Sequence, residues 1–317
     1  MLGAGGVAGG AFHAGVLAAL QESTGWDPRR AAVLVGTSAG SIAATSLRAG
    51  LGAPDLLARA EDRRLSPEGT ALMARVGPLR PPPRLNSAPR PRRPAEIAAT
   101  LGRAAARPLA ARPWAVLAGF IPGGTVSTAV ITESISALLP DSWPPEPLWI
   151  CTVRQADGRR FVHGRGLGVA PPLADAVAAS CAIPGFFAPV SINGEDHVDG
   201  GVHSPTNADV LLAENEGLDL VLVSAPMSVT GRVGRLSAGQ AARRWSRALL
   251  DAEARRLRRR GVPVLAFQPT PEDTEVMGPN AMDAARRGVI AHQAYESTQR
   301  RLARADTRER LAALWQD

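Results

Sequence analysis

Ala31-Ala32-Val33-Leu34-Val35-Gly36-Thr37-Ser38-Ala39-Gly40 is an apolar run that breaks into a serine flanked by glycines. Bounded by a charged turn on one side and Gly36 on the other, Ala31 to Val35 predicts a short buried parallel strand. Ser41 to Ala49 then predicts a helix, with Gly50 where a C-terminal cap is expected. Gly36 to Gly40 has the form G-x-S-x-G, and a strand before it and a helix after it make it a nucleophile elbow. Glycine is needed at Gly36 and Gly40 because larger side chains would collide with the strand and helix that the turn brings together. A serine at that helix N-terminus also faces free N–H groups and the positive end of the helix dipole. By itself the motif equally describes a serine capping a helix after a glycine turn.

Two further glycine-containing stretches stand in fixed order around the elbow. Upstream, Gly5-Gly6-Val7-Ala8-Gly9-Gly10 can bring backbone N–H groups close to a ligand without side-chain obstruction. Such preorganised donors can contribute roughly 3–4 kcal/mol each to a tetrahedral oxyanion. Gly3 to Ala8 also fits the dinucleotide pattern G-x-G-x-x-A. That reading needs a full preceding strand and an acidic residue ending a second strand, and neither is evident. Downstream lies Asp199-Gly200-Gly201. An aspartate can serve directly as base for a serine if it is held within about 3 Å and partly desolvated; alone, Asp-Gly is a simple turn. His197, Asp199 and His203, with Glu195 and Asp196 nearby, match no strong metal-ligand spacing. His292 could complete a Ser-Asp-His order, but it falls in a helical stretch where a solvent-facing position is expected.

The rest of the chain alternates strand and helix patterns, which indicates an α/β layered sheet. A helix is expected from Ala11 to Glu22. Further strands are expected over Leu148–Val153, Arg160–Gly164 (with Gly158 in the turn between them), Val190 to Ile192, Leu218–Ser224 and Val262–Phe267. Helices are expected over Ala174–Ala182, Ala241–Arg259 and most of Met282–Leu314. Pro78 to Pro94 holds seven prolines among arginines, incompatible with regular structure. Ala95 to Pro140 recovers helical character, broken near Pro122.

The 317 residues suffice for one large α/β domain, and the 45% apolar fraction excludes wholesale disorder. All 36 basic residues are arginine, and the formal charge is +7. That charge favours anionic surfaces such as phospholipid headgroups, but it is too scattered for nucleic acid, and no basic-aromatic platform is present. Arg90 to Arg93 and Arg255 to Arg260 fit either an ordinary solvated face or a peripheral contact with anionic membrane. Cys151 and Cys181 suggest reduced, buried thiols in a cytoplasmic protein. The first twenty residues lack a positive n-region and carry six glycines, unlike a signal sequence or a membrane span.

In combination the three motifs resemble the patatin-like phospholipase family, which pairs a glycine-rich oxyanion loop, a G-x-S-x-G serine and a D-G-G/A aspartate. Phe12 to Leu17 looks like that family's first helix, Ala179 to Phe187 like the segment before its aspartate, and Val198 to Asn207 like the aspartate loop. The resemblance covers roughly residues 2–225, weakly between 55 and 145. It implies a three-layer α/β/α sandwich with a mostly parallel central sheet, and Ser38 as nucleophile with Asp199 as its base. It further implies an oxyanion hole from Gly5, Gly6 and Val7, supported by Gly36, Gly40, Gly200 and Gly201. Lipid acyl esters would be the substrates, with no metal or cofactor. Residues 1–225 would form the catalytic domain, carrying a variable Pro/Arg-rich segment at about 75–94; residues 226–317 would add helices and one strand to the same domain. The chain departs from the family loop G-G-G-x-R/K-G at Val7 and Gly9, which leaves a catalytically degenerate lipid-binding or regulatory protein as the alternative.

Overall fold

Short apolar runs whose alternate residues face opposite sides build the sheet. The structure, a computed structural model, describes residues 1–78, 124–140, 143–166, 170–213, 217–231 and 238–312. Its strands are β1 (Leu34–Gly36), β2 (Leu148–Arg154), β3 (Arg160–His163), β4 (Val190–Ile192), β5 (Glu195–Asp199), β6 (Val221–Ser224) and β7 (Val264–Phe267). Helices α1 (Gly6–Thr24), α2 (Ala39–Arg48), α3 (Ala53–Ala60), α4 (Pro67–Val76) and α5 (Ala129–Leu138) belong to the first half. The second half adds α6 (Leu173–Ser180), α7 (Ala238–Arg259), α8 (Pro271–Met277), α9 (Arg287–Leu302) and α10 (Ala305–Ala312).

The sheet is mixed, with its parallel part at the centre. β1 runs parallel to β2, and β6 parallel to β7. Met1 to Gly3 close the gap between these pairs. The Leu2 N–H donates to Val35 O at 2.8 Å, and the Gly3 N–H donates to Ser224 O at 3.0 Å. A single extended turn of chain therefore does the work of a central strand.

β2 has partners on both edges. Ile150 is opposite both Gly36 of β1 and His163 of β3, and Thr152 is opposite both Asp199 of β5 and Phe161 of β3. β1 and β5 consequently share one edge of β2, with β3 on the other. β1 runs parallel to β2 and stops opposite Ile150, whereas β5 runs antiparallel and stops opposite Thr152. Their C-terminal ends meet head-on, separated only by the width of Cys151.

Alternate residues of the strands join different clusters of buried apolar side chains. Leu34, Leu148 and Ile150 pack with α2, α5 and α6, and Leu265 and Phe267 with α1, α3 and α9. On the other face Val35, Trp149, Val221, Val223 and Val264 pack with Leu250, Ala254 and Leu257 of α7. α1 is buried almost all round from Ala8 to Leu20. It starts at Gly6, five residues before the expected Ala11. Glycine is a poor helix former, but here the Ala8 N–H donates to Ala281 O at 2.9 Å, which holds the first turn from outside, while the Gly9 N–H makes the first bond within the helix, to Gly5 O at 2.8 Å.

The strands at Leu34–Gly36, Val221–Ser224 and Val264–Phe267 are shorter than their apolar runs. Ala49 caps α2 and Gly50, with φ 103°, follows it; Gly158, with φ 70°, lies in the turn between β2 and β3 as expected. The Pro/Arg-rich stretch from 79 onward, including Arg90 to Arg93, lies outside the described residues. Of the helical expectation over Ala95–Pro140, the described part contains α5. On α7, Arg258 donates to Val264 O and Arg256 faces Asp209 at 3.7 Å, so part of that basic run has internal partners. No described helix is long and apolar enough to cross a membrane.

Gly15 is where α9 comes closest to α1: a Cβ there would overlap the Ala291 carbonyl and the Tyr295 N–H. Gly15→Ala is expected to lower unfolding free energy by about 1–3 kcal/mol through forced separation of the helices. Urea denaturation followed by circular dichroism reads this directly.

Candidate functional site

β1 delivers the chain into the elbow. Ser38 has φ 54° and ψ −126°, a conformation rare for a residue with a Cβ, and it begins α2 without its side chain capping the helix. The hydroxyl is thereby left for other contacts. The flanking glycines are steric necessities, because a Cβ on Gly36 would overlap Ser41 and one on Gly40 would overlap the Leu2 carbonyl. The Ser38 N–H donates to Ser180 Oγ at 2.9 Å, and Ser180 Oγ donates to Cys151 O at 2.7 Å. The backbone between the two strand ends thus anchors the serine turn.

Asp199 ends β5 and faces the same point. Ser38 and Asp199 are both buried, at 3% and 5% exposure, and the Ser38 side chain is close enough to the Asp199 carboxyl to favour its charged form. The Gly201 N–H donates to Asp199 Oδ1 at 2.7 Å. Burial pushes the Asp199 carboxyl up to about 6, against the lowering effect of the Ser38 side chain and the Gly201 N–H. Gly200 has no room for a side chain against the Cys151 carbonyl, and a Cβ on Gly201 would press on Asp199 itself.

The glycine loop lies alongside. At the start of α1 the N–H groups of Ala8 and Gly9 are taken, whereas those of Gly5, Gly6 and Val7 have no acceptor among the described residues. Gly6 (φ 60°) and Val7 line the same cavity as Ser38, so two of these donors border the space in front of the serine. That cavity has a volume of about 350 Å³. Its walls come from α1, α2, α3, α4 and α5, with Ile183, Phe187 and Met282, and they are predominantly apolar.

Several residues outside the three motifs hold these pieces together. Asn207 (φ 51°) has its Nδ2 within 3.2 Å of Ser204 O, Thr37 Oγ1 and Gly200 O, tying the elbow to the aspartate turn. Beneath it the buried Glu253 of α7 accepts from Thr206 Oγ1 at 2.6 Å and from the Ala208 N–H at 2.9 Å, and its burial raises its carboxyl. The Ala4 N–H donates to Pro205 O at 2.8 Å, stitching the glycine loop to the aspartate loop. His13 is fully buried and its burial lowers it to about 4, so it is neutral. Its Nε2 lies 2.8 Å from Gly3 O, which only accepts, so Nε2 carries the proton and Nδ1 accepts from Ser224 Oγ at 2.8 Å. The sequence pattern around Asn207 and His13 carried a signal, since both sit in the stretches resembling the family. Glu253, on an arginine-rich helix, carried none.

Other candidates lie elsewhere. His292 is on the surface of α9 with Glu61 and Glu296 and takes no part in the cavity. His197 and His163 share the Thr152 hydroxyl at 2.9 and 2.8 Å and are held below their ordinary range, chiefly by burial. Among the described residues no group of His, Cys, Asp and Glu is arranged to hold a metal ion. Cys151 and Cys181 are both free and buried.

Asn207→Ala removes a buried donor that serves three acceptors on two loops. It is expected to cost about 2–4 kcal/mol of stability, measured by urea denaturation, with Asn207→Asp no better because it also lacks the donor.

No individually curated protein matches the sequence. A family model described as patatin-like phospholipase matches residues 1–212, a span that contains Ser38, Asp199 and the glycine loop. That match covers well over half of the sequence, and the chain belongs to the patatin-like phospholipase family.

Proposed function

We propose that this protein is a serine hydrolase of lipid acyl esters, built on an α/β/α sandwich, that works through Ser38 and Asp199 without a histidine. The observation that carries the reading is a buried serine, Ser38, with the buried Asp199 carboxyl beside it, on the wall of an apolar cavity that Gly6 and Val7 also line. Family membership supports it, since the family's description suggests lipid acyl hydrolysis. Asp199 accepts the Ser38 proton as Oγ attacks the ester carbonyl. The carbonyl oxygen, now an anion, accepts hydrogen bonds from the N–H groups of Gly5, Gly6 and Val7. Collapse breaks the ester C–O bond, and the proton leaves Asp199 with the departing alcohol. Water then attacks the acyl-enzyme, giving one proton to Asp199, which returns it to Ser38 as the fatty acid leaves.

Val7 fits this scheme through its backbone, since an L-residue donates an N–H as well as glycine does. Its side chain lines the cavity with the aliphatic groups of α2 and α5, where an acyl chain would lie. Burial matters to the base: a carboxyl at about 6 is a stronger proton acceptor than an ordinary aspartate and is still ionised near neutrality.

A fluorophosphonate probe and medium-chain p-nitrophenyl esters test this reading. Ser38→Ala should lose both labelling and hydrolysis, and Asp199→Asn should lower kcat by roughly 100-fold or more. Labelling or turnover that survives Ser38→Ala overturns the assignment. Because the ionised form of Asp199 is the active one, kcat/KM should rise with pH through about 6 and level off above it. A profile flat from pH 5 to 8 (roughly one unit below to two above that value) would remove Asp199 as the base.

A further inference from the structure

The cavity in front of Ser38 is predominantly apolar, with a few serines and one pair of charged side chains on its wall. Among the described residues, Arg59 of α3 and Arg287 of α9 are the only charged side chains on its wall. Arg287 is matched: it donates to Asp62 Oδ1 at 2.6 Å and to Ala60 O at 3.0 Å. Among the described residues Arg59 has no carboxylate partner, and its guanidinium makes one hydrogen bond, to Gly77 O at 3.4 Å. The neighbouring acids are engaged elsewhere. Asp55 accepts from the Ser66 N–H and Oγ, both at 2.7 Å, and Glu61 faces Arg63 and His292. Burial, and then the like charge of Arg287, lower the Arg59 guanidinium from its ordinary value.

A half-buried guanidinium with most of its five donors unused, beside a second cation and an apolar cavity, is an electrostatic imbalance. An anion arriving in the cavity removes it. The planar fork of arginine suits a carboxylate or phosphate, which it can hold with two parallel hydrogen bonds. The cavity has the reach to separate such an anion from the ester. The wall given by α1 extends from Gly6 to Ala14, about 12 Å of helix, and α3 packs against α1.

We propose that Arg59 is an anion subsite of this cavity and that the preferred substrates are acyl esters carrying a second, negatively charged oxygen group. This rests on the hydrolase reading above. The group is a carboxylate or a phosphate, and it has two sources: the far end of the acyl chain, or the headgroup.

Two substrate pairs separate the sources. One is a medium-chain p-nitrophenyl ester and the p-nitrophenyl hemiester of the dicarboxylic acid of equal length. The other is a medium-chain monoacylglycerol and its 3-phosphate. In one pair, Arg59→Gln should raise KM for the charged member about 10- to 100-fold with kcat moved far less, so that the preference for charge collapses. Arg59→Lys should restore part of it. The pair that responds identifies the source. Equal losses on charged and neutral members, or no loss in either pair, overturn the subsite. Calorimetric titration of the free dicarboxylic acid and the monoacylglycerol 3-phosphate into Ser38→Ala, with and without Arg59→Gln, reads the same subsite without turnover. Binding that depends on Arg59 in a protein whose wild type hydrolyses nothing sinks the hydrolase reading alone. Turnover by wild type with equal affinities in both variants sinks the subsite alone.

Discussion

Everything at this site depends on placing a carboxylate where water cannot solvate it, within hydrogen-bond reach of a serine. Burial of Asp199 costs stability, because the charged form loses its hydration and receives only the Ser38 hydroxyl and the Gly201 N–H in return. The sheet supplies the means. β1 and β5 approach from opposite ends along one edge of β2, so the residues that follow one and end the other face each other across Cys151. Two strand ends on a rigid ladder fix this distance more firmly than two loops could. The serine turn then needs its left-handed backbone, and the glycines on either side follow from the crowding that such a meeting creates.

A second layer of buried polar groups keeps the loops from relaxing away from that geometry. Asn207, Glu253 and His13 each contribute hydrogen bonds to backbone or hydroxyl groups that would otherwise be buried unpaired. Such groups give little net stabilisation when satisfied and a large penalty when not, so they specify position more than they add stability. The glycine loop is fixed in the same manner. Ala4 and Ala8 spend their N–H groups on Pro205 and Ala281, and of the residues between them Gly6 and Val7 line the cavity.

The parts of this arrangement that were legible in the sequence are those whose chemistry is local. A turn that brings Gly36 against Ser41 demands glycine, and an aspartate at a strand end followed by two glycines marks a close backbone passage. Strand limits were less legible, since apolar residues such as Ala31 and Leu218 flank the ladder without joining it. The start of α1 was misplaced because intrinsic propensity argues against Gly6 to Gly10, and only tertiary bonds to Pro205 and Ala281 reverse that preference. Glu253 and Arg59 carry no local sign at all. What distinguishes each is the presence or absence of a partner brought by another element, and spacing along the chain does not encode that.

The short central strand also has a consequence for how the chain reaches its native state. Leu2 sits between β1 and a strand that ends at Ser224, and α1 packs against a helix that begins at Arg287. The first two dozen residues thus pack partly on nearby segments and partly on segments from the second half of the sequence. During synthesis they emerge long before the latter exist, and contacts of such separation are closed late and slowly. The cavity lined by Gly6, Val7, Ser38 and Arg287 is therefore completed only when distant segments come together, and until then the apolar, glycine-rich start of α1 lacks the helix that covers it.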